Sequence, residues 1–422
     1  MNGLLRQFGV RAASAALTLV LIVGACSPHR AGPRGTPVPS SPVPTPTSHP
    51  TTITPAPTPT SRPTATTTAN TPTAPSTATA IIPKAEIVDN LWEWTVIAGP
   101  SEYIAPNADF DGEVLIWGKT WSWPEGETQV VRMGDEVRDL HRAPPQWRIN
   151  DAQVDEGRVV LVEFEAERGD YHLWVYDLKS GERTLLEEWG GEPHRHQVPL
   201  IALDGHRLAW STTRDEGRSC IRIRNLETGH QFDAVCSPDT STVLDWPYLR
   251  WPVLTYQLEE LASDPSCRTI YTLHLLDGEP QPHEVTECHG FQGAADETVL
   301  AWTELRSGTP YPWKVPIYGE GPDGRIVKLG VASAGSVAVC EGRAYWETEC
   351  SNCPDEIRSW VPGGPVEVIY RSPDVEGVSS YATTLPLCHG PLVVIQRAGG
   401  LHSAPGSPDE ILVAWLPEGG GE

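Results

Sequence analysis

The sequence predicts an all-β fold, a seven-bladed β-propeller that follows a disordered N-terminal spacer. The clearest repeat unit runs from Leu203 to Val235 and is interpreted as three strands. Leu208 and Trp210 are two residues apart in the first strand, as are Ile221 and Ile223 in the second, which is the period of a strand face. Gly229 then provides a turn before the third strand, since glycine readily adopts positive φ.

The residue at the position of Trp210 recurs along the chain at steps of 45, 48, 46, 46, 44 and 48 residues. The seven aligned positions are Trp117, Val162, Trp210, Tyr256, Trp302, Trp346 and Val394. A period in this range with four short strands per unit is typical of propeller blades. A six-bladed or eight-bladed ring would require one false or one hidden repeat.

The two ends of the repeat region predict how the ring closes. The seventh unit has a third strand at Glu410–Leu416 and no outer strand after it. The segment Glu86–Ala98 is strand-like and precedes the first unit. We therefore expect this segment to supply the outer strand of blade 7, which would remove exposed sheet edges.

The unit at residues 204–229 has the pattern D-G-x-x-L-A-W followed by I-x-I-x-N-L-E-T-G. This pattern resembles the WD40-like repeat of TolB-type bacterial propellers and departs from true WD40 blades, which carry a Gly-His and Trp-Asp pair. The resemblance covers about residues 86–417 and implies the fold. It also implies a structural accessory of an envelope assembly, but propellers host enzymes, adaptors and sugar binders alike.

Residues 1–25 are predicted to be a lipoprotein signal peptide. Arg6 and Arg11 precede the apolar run Ala12–Val23, which is too short to span a membrane. The small residues before Cys26 resemble the lipobox of bacterial lipoproteins, which implies that Cys26 is lipidated. The alternatives are ordinary signal cleavage and a cysteine placed there by chance. Lipidation would anchor the protein to the membrane only through its N terminus.

Residues 26–83 are rich in proline, threonine and serine and are predicted to be a disordered spacer. At ~3.1 Å per residue, polyproline II geometry would let this spacer reach roughly 180 Å from the bilayer. The propeller domain is predicted at residues 84–422.

The propeller domain is strongly acidic. Residues 1–83 contain five arginines and no acidic residue, which leaves 26 Lys and Arg against 55 Asp and Glu, a net charge of −29. Nucleic-acid binding is excluded on this ground, because phosphate contacts need clustered basic residues. The charge suits a basic partner or divalent cations, or simply solubility outside the cell.

The eight cysteines after Cys26 predict disulfides in an exported domain. Cys220 pairs with Cys236 and Cys267 with Cys288, since each pair flanks a hairpin turn. We also predict the pairs Cys340–Cys388 and Cys350–Cys353. The alternatives for the Cys350–Cys353 motif are a redox couple and a zinc site that would include Cys340 and Cys388.

Sequence motifs of catalysis are lacking. There is no G-x-S-x-G elbow, P-loop or dinucleotide fingerprint, and we predict no cofactor and no metal. His194 and His196 are interpreted as solvent-facing loop residues. The segment 107–112 resembles the start of a calcium loop, but its twelfth position is Gly118, where the motif needs a bidentate glutamate.

Long, irregular loops between the second and third strands predict a binding face. Trp121, Trp123, Tyr311 and Trp313 stand in these loops, where aromatic rings stack on sugars or hold a peptide; the alternative is that they cap the blade tops. The sequence thus favours a surface-displayed binding or protein-interaction module, with an envelope protein or a glycan as partner. The alternative is an extracytoplasmic propeller enzyme, a lyase or hydrolase acting on glycans.

Overall fold

The structure, a computed structural model, describes residues 82–98, 104–119, 126–165, 167–190, 198–214, 217–261, 267–306, 314–333, 337–348, 354–373, 382–383, 386–398 and 410–417. These residues form 30 strands in seven sheets and contain no helix. Within the described part there is consequently no apolar helix long enough to cross a membrane. The predicted seven-bladed β-propeller is confirmed.

The first strands of the described part are β1 (Ile87–Asp89) and β2 (Thr95–Ala98), which join the last two blades. Blade 1 contains β3 (Ile104–Phe110), β4 (Val114–Lys119), β5 (Thr128–Met133) and β6 (Glu136–Arg142). Blade 2 contains β7 (Trp147–Asp155), β8 (Arg158–Glu165), β9 (Tyr171–Asp177) and β10 (Glu182–Trp189). Blade 3 contains β11 (Ile201–Asp204), β12 (Arg207–Thr213), β13 (Ser219–Asn225) and β14 (Gln231–Cys236).

Blade 4 contains β15 (Thr242–Arg250), β16 (Val253–Glu260), β17 (Cys267–His274) and β18 (Gln281–His283). Blade 5 contains β19 (Gly290–Ala295), β20 (Leu300–Glu304), β21 (Lys314–Glu320) and β22 (Ile326–Ser333). Blade 6 contains β23 (Val337–Cys340), β24 (Arg343–Thr348), β25 (Glu356–Trp360) and β26 (Val366–Arg371). Blade 7 contains β27 (Ala382–Thr383), β28 (Leu387–His389), β29 (Leu392–Ala398) and β30 (Glu410–Trp415).

The N-terminal segment closes the ring with only part of its length. Strand β2 pairs antiparallel with β30 and completes blade 7, as predicted. Strand β1 instead pairs parallel with β26 and adds a fifth strand to blade 6. The two strands are separated because Trp92 is buried in the core between blades 6 and 7, while the indole N–H of Trp94 donates to the carbonyl of Ile369 at 3.0 Å.

The hydrophobic core is divided among the seven blade interfaces. Each core cluster combines residues of two adjacent blades, and the cluster between blades 2 and 3 packs Trp210 against Val160 and Val162. All seven residues of the sequence alignment are buried, from Val162 and Trp302 at 0% exposed to Trp117 at 3%. Burying a side chain of this size contributes about 1.5–3 kcal/mol, so the repeat that the sequence displays is the repeat that stabilises the ring.

Three disulfides occur among the described residues. Cys220 bonds to its cross-strand partner Cys236, and Cys267 bonds to Cys288 across the next hairpin. A third bond joins Cys340 of blade 6 to Cys388 of blade 7. These three are among the four pairs that the spacing predicted, and the third leaves no thiolate at residues 340 and 388 for the alternative zinc site.

Candidate functional site

The aromatic residues predicted to bind a ligand lie outside the described residues. These are Trp121, Trp123, Tyr311 and Trp313, and the same holds for Cys26, Cys350, Cys353 and the pair His194 and His196. Their roles therefore stay predictions.

Three acidic residues near the long loops, Glu127, Glu259 and Asp355, lie among the described residues and are held within the protein. Glu127 is partly buried and accepts a hydrogen bond from the backbone N–H of Ile149 at 2.7 Å. Glu259 binds the guanidinium of Arg268 at 3.0 Å, and Asp355 is fully buried. Glu127 and Glu259 are therefore bonded within the protein, and Asp355 is shielded from solvent.

A ring of seven equivalent residues surrounds the central channel on the face that carries the short turns, which we call the turn face. Each residue stands directly before the turn that joins the first two strands of its blade. The seven are Asp111, Asp155, Asp204, Arg250, Asp296, Cys340 and His389. Four of them are aspartates.

Each of the four aspartates of this ring links its own blade to the next one. Asp155 accepts the backbone N–H of Gly205 at 2.7 Å, and Asp204 accepts that of Trp251 at 2.8 Å. Asp111 and Asp296 make the same bond to the following blade, with donors 46 residues further along the chain. The repeated aspartates are therefore structural hydrogen-bond acceptors.

Arg250 takes the ring position in blade 4 and reaches across the channel. Its Nη1 donates to Asp204 at 3.3 Å, and its Nε donates to the carbonyl of Val339 at 3.2 Å. Its Nη2 donates to the carbonyl of Cys388, beside the disulfide that joins blades 6 and 7. Arg250 thus connects four blades, and its donors are engaged by the protein itself.

His389 takes the ring position in blade 7 and binds carboxylates of blades 1 and 2. Its Nε2 lies 2.8 Å from Asp109, and its Nδ1 lies 3.8 Å from Asp155. Burial alone would lower the pKa of His389, but these two carboxylates outweigh it and raise the pKa to about 10. At neutral pH the imidazole is therefore charged, and it serves as a fixed cation in the channel.

Asp151 lies on β7, where its carboxyl group is bonded to Gln153 and to the backbone of Ile201 in blade 3 and is close to Asp109 of this network. Burial raises its pKa to about 7, and the nearby charge of Asp109 adds to the shift. Its Oδ2 accepts a hydrogen bond from Gln153 at 3.4 Å. A carboxyl group that titrates near neutral pH is a candidate for proton transfer.

A buried carboxylate between blades 1 and 2 holds a further polar cluster. Glu163 accepts hydrogen bonds from His172 at 2.8 Å and from the indole of Trp174 at 2.9 Å. Its other oxygen lies 2.8 Å from His141, which in turn contacts the hydroxyl of Tyr176 at 2.6 Å. Burial would raise the pKa of Glu163, but these hydrogen bonds outweigh it and lower the pKa. The cluster ties the outer strand of blade 1 to blade 2.

Metal ligands converge in one group among the described residues. The group consists of Cys220, Asp233 and Cys236. Because the two sulfur atoms are bonded to each other, neither is a thiolate ligand. Asp233 is then the remaining ligand of this group, and one carboxylate does not make a metal site.

A cavity of about 280 Å³ lies between blades 3 and 4 on the turn face. We call it the Arg207–Trp251 pocket; its walls are Arg207, Ile223, Asn225, Thr228, His230, Phe232 and Trp251. The guanidinium of Arg207 packs over the Trp251 ring at 4.2 Å, and Phe232 is 37% exposed. Its walls contain no carboxylate, although the domain has a net charge of −29.

A second cavity, of about 420 Å³, lies one blade further, between blades 4 and 5. We call it the Glu297 groove; its walls include Val253, Thr272, His274, Gln281, Glu297 and Glu320. Asp296 and Glu279 bring the number of acidic residues in its walls to four, and no lysine or arginine is among them. Its charge is opposite to that of the pocket.

The two cavities occupy equivalent places in the repeat. Arg207 and Val253 each begin the second strand of their blade, and they pair with Asn225 and His274 respectively. Trp251 of one cavity corresponds to Glu297 of the other, because each is the first residue of the turn in the following blade. The two cavities therefore differ in charge because different side chains occupy equivalent backbone positions.

Sequence reasoning did not identify Arg207, Arg250 or His389 as functional candidates. A signal was present for two of them, because Arg250 and His389 depart from the aspartate that four blades carry at the same position. The turn of blade 4 also departs from the repeat, because Trp251 and Pro252 stand where most other blades have a polar residue and a glycine. No such signal marked Arg207.

Solved structures share this fold at low sequence identity. A prolyl endopeptidase, studied for the role of inter-domain dynamics in catalysis and specificity, matches with a TM-score of 0.51 and 13% identity over 70% of this chain and 46% of that chain. This chain thus spans less than half of that protein.

Two propellers match at lower TM-scores. The β-propeller domain of the Trilobed protease from Pyrococcus furiosus has a TM-score of 0.49 and 13% identity, over 74% of this chain and 95% of that chain. TolB from Acinetobacter baumannii has a TM-score of 0.38 and 15% identity, over 61% of this chain and 66% of that chain. No protein-family model and no curated protein matches the chain. At these identities the likeness is one of fold.

Proposed function

We propose that this protein is a ligand-binding module displayed outside the cytoplasm by a lipid on Cys26 and the spacer at residues 26–83. The observation that carries the proposal is the pair of adjacent cavities of opposite charge on the turn face. Concave sites with a few convergent polar groups on a rigid scaffold are where ligands usually bind. Three disulfides are consistent with an extracytoplasmic location.

The channel supports binding over catalysis. Arg250, His389 and the ring aspartates bond to one another and to turns of adjacent blades. Groups engaged in this way would have to break structural bonds before they could act on a substrate. The binding cavities, in contrast, lie at the blade clefts.

The anchor is tested by partition of the full chain between detergent and aqueous phases. We expect the full chain made in a bacterial host to enter the detergent phase, because an acylated Cys26 supplies the apolar chain. The Cys26→Ser variant, otherwise identical, should remain in the aqueous phase after signal cleavage. Equal partition of both chains would contradict lipid anchoring.

The binding face is tested by capture of envelope glycans and proteins on the immobilised full chain. One variant changes the turn face (Arg207→Gln with Glu297→Gln), and a matched variant changes the long loops (Trp121→Ala with Trp313→Ala). We expect the first variant to lose the captured ligand. Loss only in the second would move the site to the long-loop face, and no capture by any form would contradict a binding module.

Asp151 favours a second candidate function, an extracytoplasmic enzyme acting on glycans. A carboxyl group with a pKa of about 7 suits general acid or base chemistry at neutral pH. The test is release of soluble products from envelope polysaccharide by the full chain and by Asp151→Asn. Product release that Asp151→Asn abolishes would establish this candidate over the binding module.

A further inference from the structure

Arg207 carries a charge that the described residues do not neutralise. Its guanidinium packs on the ring of Trp251, and no described carboxylate forms an ion pair with it. A guanidinium presents five N–H donors in a fork that matches a carboxylate. The Arg207–Trp251 pocket therefore has an anion-binding group ready for a ligand.

The floor of the same pocket offers groups for hydroxyls. The side-chain oxygen of Asn225 accepts the backbone N–H groups of Glu227 and Thr228, both at 2.9 Å, so this bonding turns its NH₂ group to other partners. The hydroxyl of Thr228 accepts the backbone N–H of His230 at 3.3 Å and keeps its own O–H to donate. These donors stand beside the guanidinium in the pocket wall.

The aromatic walls and the volume limit the size and shape of the ligand. Phe232 is 37% exposed, and its ring lies 5.9 Å from that of His230. Aromatic rings of this kind pack against the apolar face of a sugar ring. A volume of about 280 Å³ is at the low end for ligand pockets and accommodates one ring rather than a chain of them.

The charge of the whole domain limits the charge of the ligand. A net charge of −29 on the domain repels a polyanion, while a single carboxylate at Arg207 meets the local positive charge. Because the Debye length at physiological ionic strength is about 8 Å, a small ligand at Arg207 is affected mainly by the groups around the pocket, whereas a polymer that extends beyond the pocket meets the acidic surface. A ligand with one carboxylate is favoured over a polymer of them.

We infer that the Arg207–Trp251 pocket binds a terminal carboxylated sugar, with its carboxylate on Arg207, its hydroxyls on Asn225 and Thr228, and its ring on Phe232. This inference rests on the proposed binding function and names its ligand class. A flat aromatic acid would use Arg207 and Phe232 but would leave the hydroxyl-binding groups without partners.

The test is calorimetric titration of the full chain with three probes: methyl glucuronide, methyl glucoside and benzoate. We expect the glucuronide to bind roughly tenfold more tightly than the glucoside, because only the glucuronide offers a carboxylate to the guanidinium. Benzoate should bind roughly tenfold more weakly than the glucuronide. Equal binding of glucuronide and glucoside, or tighter binding of benzoate, would overturn the inference.

Two variants locate the binding. Arg207→Gln should reduce the affinity for glucuronide to that for glucoside. Arg224→Gln is the matched control, since it removes the same charge from the adjacent strand, where the side chain bonds Gln231 outside the pocket walls, and it should change affinity less than twofold. Equal losses in both variants would show a general charge effect and overturn the inference. Their melting temperatures verify folding.

The outcomes separate the inference from the proposed function. If envelope ligands are captured on the turn face while glucuronide does not bind, the ligand class named here is wrong and the binding module stands. If neither envelope ligands nor glucuronide bind, both fail.

Discussion

Two arginines on the turn face, Arg250 and Arg207, differ in what their guanidinium groups contact. Arg250 lies in the channel, is 16% exposed, and donates to Asp204 and to carbonyls of two distant blades. Arg207 lies at a blade cleft, and the contact described for its guanidinium is the ring of Trp251 at 4.2 Å. The charge of Arg250 therefore stabilises the folded ring, whereas the charge of Arg207 is available to a ligand.

The largest expected effect is on stability at Arg250. Arg250→Ala should reduce the free energy of unfolding by about 3–5 kcal/mol, because it removes the positive charge that pairs with Asp204 and one donor each from the carbonyls of Val339 and Cys388 in a largely buried network. Chemical denaturation of the full chain measures this effect. A loss below about 0.5 kcal/mol, within the range of ordinary surface substitutions, would show that the two arginines do not differ in their contribution to stability.

The second largest effect on stability is expected from the loss of the disulfide between Cys340 and Cys388, beside Arg250. Changing Cys340 and Cys388 together to serine should cost about 2–4 kcal/mol, because the bond closes a long loop in the unfolded chain. The matched pair Cys220 and Cys236 closes a loop with a separation of 16 residues rather than 48. Loop entropy predicts a loss about 1 kcal/mol smaller for that pair. Denaturation midpoints of both double variants test the order.

The charged His389 predicts a pH dependence of the channel. Its pKa of about 10 in the folded protein is above the ordinary value of 6.5, so its contribution is fully present below about pH 6.5 and is lost as pH rises through about 10. Between pH 7 and 9 the native chain should lose about 2–3 kcal/mol more stability than His389→Gln, because the folded imidazole stays charged while the unfolded one loses its proton. Parallel pH profiles of the two chains would contradict a charged imidazole.

The smallest effect on stability is expected at Arg207. Arg207→Gln should change the free energy of unfolding by less than about 0.5 kcal/mol, since no described ion pair is broken. The same substitution should lower glucuronide affinity roughly tenfold. A large stability loss with unchanged affinity would place Arg207 with Arg250 and reverse the comparison.

The sequence by itself determined the blade repeat and much of its chemistry. The aligned positions from Trp117 to Val394 predicted seven second strands, because the hydrophobic effect requires the same buried position in every blade. Cys220 and Cys236 were predictable as partners because hairpin register is local. The pair Cys340 and Cys388 followed from equivalent positions in adjacent repeats.

The split of the N-terminal segment was decided only by tertiary structure. The strand pattern of Glu86–Ala98 does not state which sheet each residue joins. The burial of Trp92 between blades 6 and 7 sends β1 to one blade and β2 to the other.

The contacts at the candidate site also depend on the tertiary structure, because they join residues of separate blades. Arg207 and Trp251 are 44 positions apart in the sequence, and Arg250 contacts residues 138 positions away. Periodicity reports which face of a strand is buried, because that depends on neighbours along one chain segment. It does not report which charges from separate blades meet, because that depends on how the blades pack around the common axis.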